Sequence, residues 1–190
     1  MFLFIDTLSE PSYIALFTSN REIIAEKKWE GKQREFDTLI EMIDELLREN
    51  ILIYRDLWGI VVMVWPGGFT GTRVTALVAN TLGYSFDIPL FPLTVWDFFS
   101  YQASPLPWIV SITKKEALCW YEKSNPYIVQ LDQLREGVYM SLTPIDFSGS
   151  KYTIQTGNDY SRVISSLPLK ASQKKIYPVY AKDPNITLKK

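Results

Sequence analysis

The sequence predicts an α/β fold in two lobes, and three observations support that prediction. Residues 1–102 show the pattern of three short strands followed by alternating helices and strands, in the order β-β-β-α-β-α-β. The segment Pro105-Leu106-Pro107 follows this series and predicts a boundary, with a first lobe at 1–103 and a smaller second lobe at 104–190. Apolar residues make up 47% of the 190 residues, which is enough to form a substantial core.

The N-terminal elements are three apolar segments separated by turn residues. They span residues 2–7, 13–18 and 23–29, and the turns between them contain Pro11 and Asn20. Connections this short join neighbouring antiparallel strands, so the segments predict a meander.

The hydrophobic period then changes to that of helices. Apolar residues recur every three or four positions over 35–49, which predicts an amphipathic helix. The continuously apolar segment 58–65 predicts a strand that is covered on both faces. A second helix is predicted at 72–86, followed by a strand at 89–93 and a helix that Thr94 caps and that runs to about 102.

This order of elements is typical of the ribonuclease-H-like lobe of actin, sugar kinases and Hsp70, the ASKHA fold. Apolar segments beyond the proline-rich boundary predict further strands at 108–113, 116–122 and 127–131, with a weak helix signal at 161–166. No repeat is visible in the sequence itself.

The composition excludes several kinds of site. The chain has no histidine, so it has no histidine base and no histidine metal ligand. Its one cysteine excludes a disulfide framework within the chain and lies in an apolar segment, where we expect a core residue. No signal peptide or membrane-spanning run stands out, which predicts a cytoplasmic protein.

Charge is unevenly distributed along the chain. The last 23 residues contain six lysines and one aspartate, whereas the formal net charge of the whole chain is −1. Such a tail is either a solvated terminus or a contact with RNA phosphates or an acidic partner.

Two places in the first lobe could contact phosphate. The loop that enters the second helix is rich in glycine and could direct backbone N–H groups at an anion, but it lacks the lysine and hydroxyl pair of a Walker loop. Asp6 ends the first strand, where kinases of this fold have a phosphate-associated carboxylate. No glycine follows it and Leu8 is bulky, so we expect Asp6 to satisfy a turn and expect no ATP or other cofactor on this chain.

Five segments form a specific set of motifs, namely Phe4-Ile5-Asp6-Thr7, the loop Pro66-Gly67-Gly68-Phe69-Thr70-Gly71-Thr72-Arg73, Ile88-Pro89-Leu90, Pro178-Val179-Tyr180 and Pro184-Asn185-Ile186-Thr187. In these segments the chain resembles the TsaB (YeaZ) family. The chain departs from the family pattern at Trp65, where glycine is usual, at Gly68, where serine is usual, and in a shortened second lobe.

The resemblance implies a non-catalytic subunit that pairs with TsaD, which transfers a threonylcarbamoyl group to the adenosine beside the anticodon of tRNA. It also implies TsaE as a further partner, and contact with tRNA either indirectly or through the lysine-rich tail. We expect the two long helices to form the TsaD interface through Phe36, Leu39, Ile40, Ile43, Leu47, Thr72, Ala76, Ala79, Asn80 and Gly83. Ala76, Ala79 and Gly83 are the expected close-approach positions, so Ala79→Trp is expected to abolish pairing while the chain still folds.

Two other functions remain open from the residues alone. The chain could be a small active kinase of the same fold, using Asp6 and the Gly67–Gly71 loop on ATP. It could also be a homodimeric structural protein that associates through the same helix faces.

Overall fold

The structure, a computed structural model, describes residues 1–30, 35–64, 69–102, 104–112, 115–121, 126–143, 145, 152–170 and 172–177. For residues 35–36, 69–71 and 152 the description covers the backbone alone. Within these ranges the chain forms two five-stranded sheets and four α-helices.

The first sheet contains the predicted meander and two parallel strands. Its strands are β1 (Phe2–Asp6), β2 (Ser12–Phe17), β3 (Ile23–Trp29), β4 (Gly59–Val64) and β5 (Leu90–Thr94), in the order β3-β2-β1-β4-β5. Strands β1, β2 and β3 are antiparallel, while β4 is parallel to both β1 and β5. Every residue of β4 is buried, as expected for a continuously apolar central strand.

Helices cover both faces of this sheet. On one face α1 (Glu35–Glu49) packs on β2 and β3, and α2 (Phe69–Phe86) packs on β4 and β5. On the other face lie α3 (Val95–Gln102) and α4 (Tyr160–Ser166). Thr94 caps α3 as predicted, because its hydroxyl accepts from the Asp97 backbone N–H at 3.2 Å and Asp97 accepts from the Thr94 N–H at 3.1 Å.

The second sheet repeats the topology of the first. Its strands are β6 (Trp108–Ser111), β7 (Glu116–Trp120), β8 (Tyr127–Gln130), β9 (Gly137–Ser141) and β10 (Tyr152–Thr156), in the order β10-β9-β6-β7-β8. An antiparallel meander again occupies one side and parallel strands the other. Two sheets of this kind with their helices form the predicted two-lobe ribonuclease-H-like fold, so the fold class is confirmed.

The end of the chain returns to the first sheet after β10. Side chains of α4 lie in the same core cluster as β1 and β2, and Ile176 lies in the cluster under α1 and α2. Strands β9 and β10 were not predicted, and α2 begins three residues before the predicted start. Of the helices in the described ranges, none is long and apolar enough to cross a membrane.

Candidate functional site

The Asp6 carboxylate is buried at the end of β1 and is surrounded by donors from its own chain. Its Oδ1 accepts from the backbone N–H groups of Leu8 at 2.8 Å and Ser9 at 3.0 Å. Its Oδ2 accepts from the Ser9 hydroxyl at 2.5 Å and from the Tyr160 hydroxyl at 2.9 Å. The carboxylate therefore closes the turn after β1, which is the role that the sequence predicted for it.

Tyr160 connects this turn to the far end of the sequence. It lies at the start of α4, and its ring stacks on Tyr13 of β2 with 3.7 Å between ring centres and 12° between planes. The hydroxyl of Tyr13 donates to Glu26 Oε2 at 2.7 Å. A second link anchors α2 to the same turn, since the Thr7 and Thr75 hydroxyls are hydrogen-bonded.

Burial raises the pKa of both the Asp6 carboxyl group and the Tyr160 hydroxyl group. Desolvation raises the pKa of Asp6 above its ordinary value, and its hydrogen bonds with Ser9, Leu8 and Tyr160 oppose that rise. The pKa of Tyr160 is well above its ordinary value because the ring is buried and the Asp6 carboxylate lies beside its hydroxyl. Tyr160 is therefore a fixed neutral donor to Asp6 at neutral pH.

The glycine-rich motif is described only in part. Pro66, Gly67 and Gly68 lie outside the described residues, as do the side chains of Phe69 and Thr70. The backbone of residues 69–71, including Gly71, forms the first turn of α2. Arg73, the last residue of the motif, is exposed on the outer side of that helix.

Most of the predicted interface residues lie inside the lobe. The buried residues among them are Leu39, Ile43, Leu47, Thr72, Ala76, Ala79 and Gly83. A Cβ atom on Gly83 would lie 3.0 Å from the Ile88 carbonyl oxygen and 3.0 Å from the Leu90 side chain. These positions face the sheet, so the expectation that Ala76, Ala79 and Gly83 form a close approach to a partner is corrected. The Phe36 side chain lies outside the described residues, and Ile40 is half-buried.

The outer ridge of α2 consists of Arg73, Leu77, Asn80 and Tyr84. These residues share one side of the helix by their spacing of four, three and four. Leu77 is 57% exposed and Tyr84 is 90% exposed, which is unusual for large apolar side chains. The corresponding ridge of α1 is charged and consists of Asp37, Glu41, Asp44 and Arg48. Sequence analysis missed Leu77 and Tyr84 because it assigned the partner contact on α2 to small residues, with Ala76, Ala79 and Gly83 as the close-approach positions.

The segment 172–177, here called the strap, runs between Asn80 of α2 and the edge of the first sheet at Leu90 of β5. The Gln173 backbone pairs with the Leu90 backbone through two N–H···O bonds of 2.7 and 3.0 Å, which extends the first sheet beyond β5. The Asn80 amide group holds the Ile176 backbone, donating to its carbonyl at 2.9 Å and accepting from its N–H at 2.8 Å. The Ile176 side chain is buried in the core cluster under α1 and α2. Asn80, predicted as an interface residue, is thus the anchor of the strap.

A metal centre is not formed by the part of the chain described above, since no three cysteine, aspartate or glutamate side chains converge there. Cys119 is a buried residue of β7, as predicted, and burial raises the pKa of its thiol. The described residues thus present two features for function, namely the outer surface of α1 and α2 and the edge formed by the strap.

Comparison with known proteins agrees with this architecture. The sequence profile of the family described as TsaD, tRNA N6-adenosine threonylcarbamoyltransferase, matches residues 31–136. No curated protein matches the sequence.

Solved structures show the same fold at low sequence identity. One, described as an uncharacterized protein with similarity to peptidase YeaZ from Pseudomonas aeruginosa, is 14% identical with a TM-score of 0.69. That alignment covers 95% of this chain and 99% of the other. YeaZ from Pseudomonas aeruginosa is 13% identical with a TM-score of 0.62, over 86% of this chain and 88% of YeaZ. With the profile match and the motifs of the sequence, these findings confirm the resemblance stated above: the chain belongs to the TsaD family and is a TsaB/YeaZ-like protein.

Proposed function

We propose that the chain is a non-catalytic subunit that pairs with TsaD in the complex that transfers a threonylcarbamoyl group to tRNA. Family membership gives the reaction context, and the exposed Leu77 on the outer ridge of α2 is the observation that supports a protein partner. A large aliphatic side chain at the centre of a helical face gains free energy when a partner removes it from water.

The pairing surface in this proposal is the outer side of α1 and of α2 as far as Leu77, so Tyr84, at the end of α2, lies outside it. Leu77 supplies its apolar centre, and Ile40 adds half-buried apolar area on α1. The charged ridge of α1 supplies the rim, where ion pairs set orientation and contribute little affinity. An interface of standard size would bury about 1,600 Å² in total over both partners.

The Asp6 turn supports the absence of catalytic turnover on this chain. A carboxylate that assists phosphate chemistry must be free to bind a metal ion or a proton of the substrate. All four donors around Asp6 come from the chain itself, and Tyr160 packs directly over the turn. This arrangement counts against the alternative of an active kinase that uses Asp6 on ATP.

The test is co-expression with the TsaD of the same organism, followed by size-exclusion chromatography with mass detection. We expect a one-to-one complex for the wild type. Leu77→Arg should weaken pairing about tenfold or more, because it places a charge at the desolvated centre, while the isolated chain keeps its thermal midpoint. Ile128→Arg is the matched control, since Ile128 is also a large exposed residue (41%) but lies on β8 of the second sheet.

Three outcomes would contradict the proposal. They are no complex with TsaD, a complex that Leu77→Arg leaves intact, and equal weakening by Ile128→Arg. The mass measurement also tests the homodimer alternative, because association of the chain alone through the same ridge would double the mass of the isolated protein and be lost in Leu77→Arg. TsaE remains a predicted partner without an assigned surface.

A further inference from the structure

We propose that the groove between the C-terminal end of α2 and the strap binds one nucleotide of a single-stranded RNA segment. This inference rests on the proposed function, because pairing with TsaD is what would bring the chain into contact with tRNA. The groove has a volume of about 560 Å³, which is within the range of small-ligand sites and suits a single nucleotide.

The groove contains the groups that such a nucleotide requires. Tyr84 is 90% exposed on its wall and offers an aromatic face for stacking of a base. Lys174 lines the opposite side with an ammonium group that suits a phosphate, and Asp87 offers a carboxylate that can accept from a ribose hydroxyl. Ser172 and Gln173 add a hydroxyl and an amide that can pair with a base edge.

The strap holds these groups in a fixed geometry. Its backbone is bound at Gln173 by Leu90 and at Ile176 by Asn80, so Lys174 lies between two anchored residues. A lysine on a fixed backbone loses less entropy on binding a phosphate than one on a free tail. Next to Lys174 on the strap, the Lys175 ammonium group lies 5.1 Å from the ring centre of the exposed Tyr177.

Charge favours RNA over an acidic protein as the occupant. The 23 C-terminal residues combine six lysines with one aspartate, and two exposed tyrosines accompany the lysines of the strap. Cations close to exposed aromatic rings are typical of surfaces for single-stranded nucleic acid, where phosphates and base faces are recognised together. RNA offers phosphates to the lysines and base faces to the rings, whereas acidic side chains match the lysines alone.

The test measures fluorescence anisotropy of a labelled, unmodified anticodon stem-loop RNA titrated with the full chain in complex with TsaD. Tyr84→Ala should raise the Kd at least about fivefold through loss of stacking, whereas Tyr84→Phe should leave the Kd unchanged. Lys174→Gln should weaken binding and reduce the slope of log Kd against log salt by about 1. Lys28→Gln is the matched control, because Lys28 is an exposed lysine on β3, at the opposite edge of the first sheet.

Failure of this inference is distinguishable from failure of the proposed function. If the variants form the TsaD complex normally but bind RNA as the wild type does, the groove assignment is overturned and the pairing proposal stands. If Tyr84→Ala abolishes pairing with TsaD, the groove is a protein contact and the RNA assignment is overturned. Equal weakening by Lys28→Gln would show a general charge effect and would also overturn it.

Discussion

At the scale of single residues, Asp6 shows how one side chain can join distant parts of the sequence. The sequence predicted that Asp6 satisfies a turn, because a short polar side chain after a strand commonly accepts from the next backbone N–H groups. It could not predict the donor Tyr160, which is 154 residues away and reaches Asp6 only after the chain has folded. Local patterns specify local hydrogen bonds, whereas long-range partners depend on the tertiary fold.

The buried Asp6 carboxylate predicts a specific pH dependence of stability. Its pKa is raised in the folded protein, so between the unfolded value of about 4 and the folded value the folded state binds more protons. The free energy of unfolding should therefore decrease as the pH rises above about 4. In Asp6→Asn, which cannot titrate, this contribution should be absent.

Urea unfolding across a pH series checks this prediction. The difference in unfolding free energy between wild type and Asp6→Asn should shift against the wild type as the pH rises from 4 toward neutrality. Asp132→Asn, at an exposed position, is the control for loss of one negative charge. A constant difference between wild type and Asp6→Asn would contradict the prediction.

At the scale of the element, α2 shows that a sequence can predict a helix without predicting what packs against each of its sides. The spacing of its apolar and small residues correctly predicted a helix that contacts its neighbours on more than one side. It did not specify what covers each side, because small residues suit a close approach to a sheet as well as to another helix. Here Ala76, Ala79 and Gly83 pack inside the lobe, and Leu77 and Tyr84 are large hydrophobic residues left in solvent.

Ala79 also shows why the substitution expected from sequence would not test pairing. Its side chain is fully buried in the core beneath α2, so a tryptophan would overpack the lobe and lower its stability. Loss of pairing in Ala79→Trp would then report unfolding rather than a lost contact, which is why Leu77→Arg is the informative variant.

The anchoring of the strap by Asn80 is testable by hydrogen exchange. Asn80→Ala removes both side-chain hydrogen bonds to the Ile176 backbone, which we expect to stabilise the docked strap by about 2 kcal/mol. The backbone amides of Gln173 and Ile176 should exchange about tenfold faster or more, while the amide of Ala15 in the central sheet is unchanged.

A matched control follows the last residue of α1, where the Asn50 side-chain amide donates to the Leu46 carbonyl at 2.7 Å. Asn50→Ala should leave exchange in the strap unchanged. If the Ile176 amide of Asn80→Ala exchanged at the wild-type rate, the prediction would be wrong. The buried Ile176 side chain, and not Asn80, would then hold the strap.

At the scale of the whole molecule, the two sheets share one core cluster. Trp108 of β6 stacks on Phe99 of α3 with 4.1 Å between ring centres, and Tyr160 packs among Phe4, Tyr13 and Phe98. The Arg21 side chain donates to the Leu167 carbonyl at 2.7 Å, which fixes the end of α4 to the turn between β2 and β3. The two sheets have the same strand order although the sequence shows no repeat. Different residues can form strands in the same order and direction, so the sequence did not reveal the duplication.

This shared core predicts that the first lobe does not fold alone. Residues 1–103, the predicted first domain, lack Trp108, Leu142 and the whole of α4, so a fragment of that length would expose Phe4, Tyr13 and Phe98. We expect the fragment to aggregate or to lack a cooperative transition, and the full chain to unfold in one step. Coincident urea curves by far-ultraviolet circular dichroism and tryptophan fluorescence would agree, whereas a soluble, cooperatively folding fragment would contradict the prediction.

The return of α4 and the strap to the first sheet also has a consequence for biosynthesis. A ribosome makes β1 first, but Tyr160, which covers one face of the sheet beside β1, is made 154 residues after Asp6. Part of the apolar surface of the first sheet therefore stays uncovered until α4 has been made. A chain that stops before α4 would expose the apolar side chains that α4 covers, and exposed apolar surface of this kind is what chaperones bind.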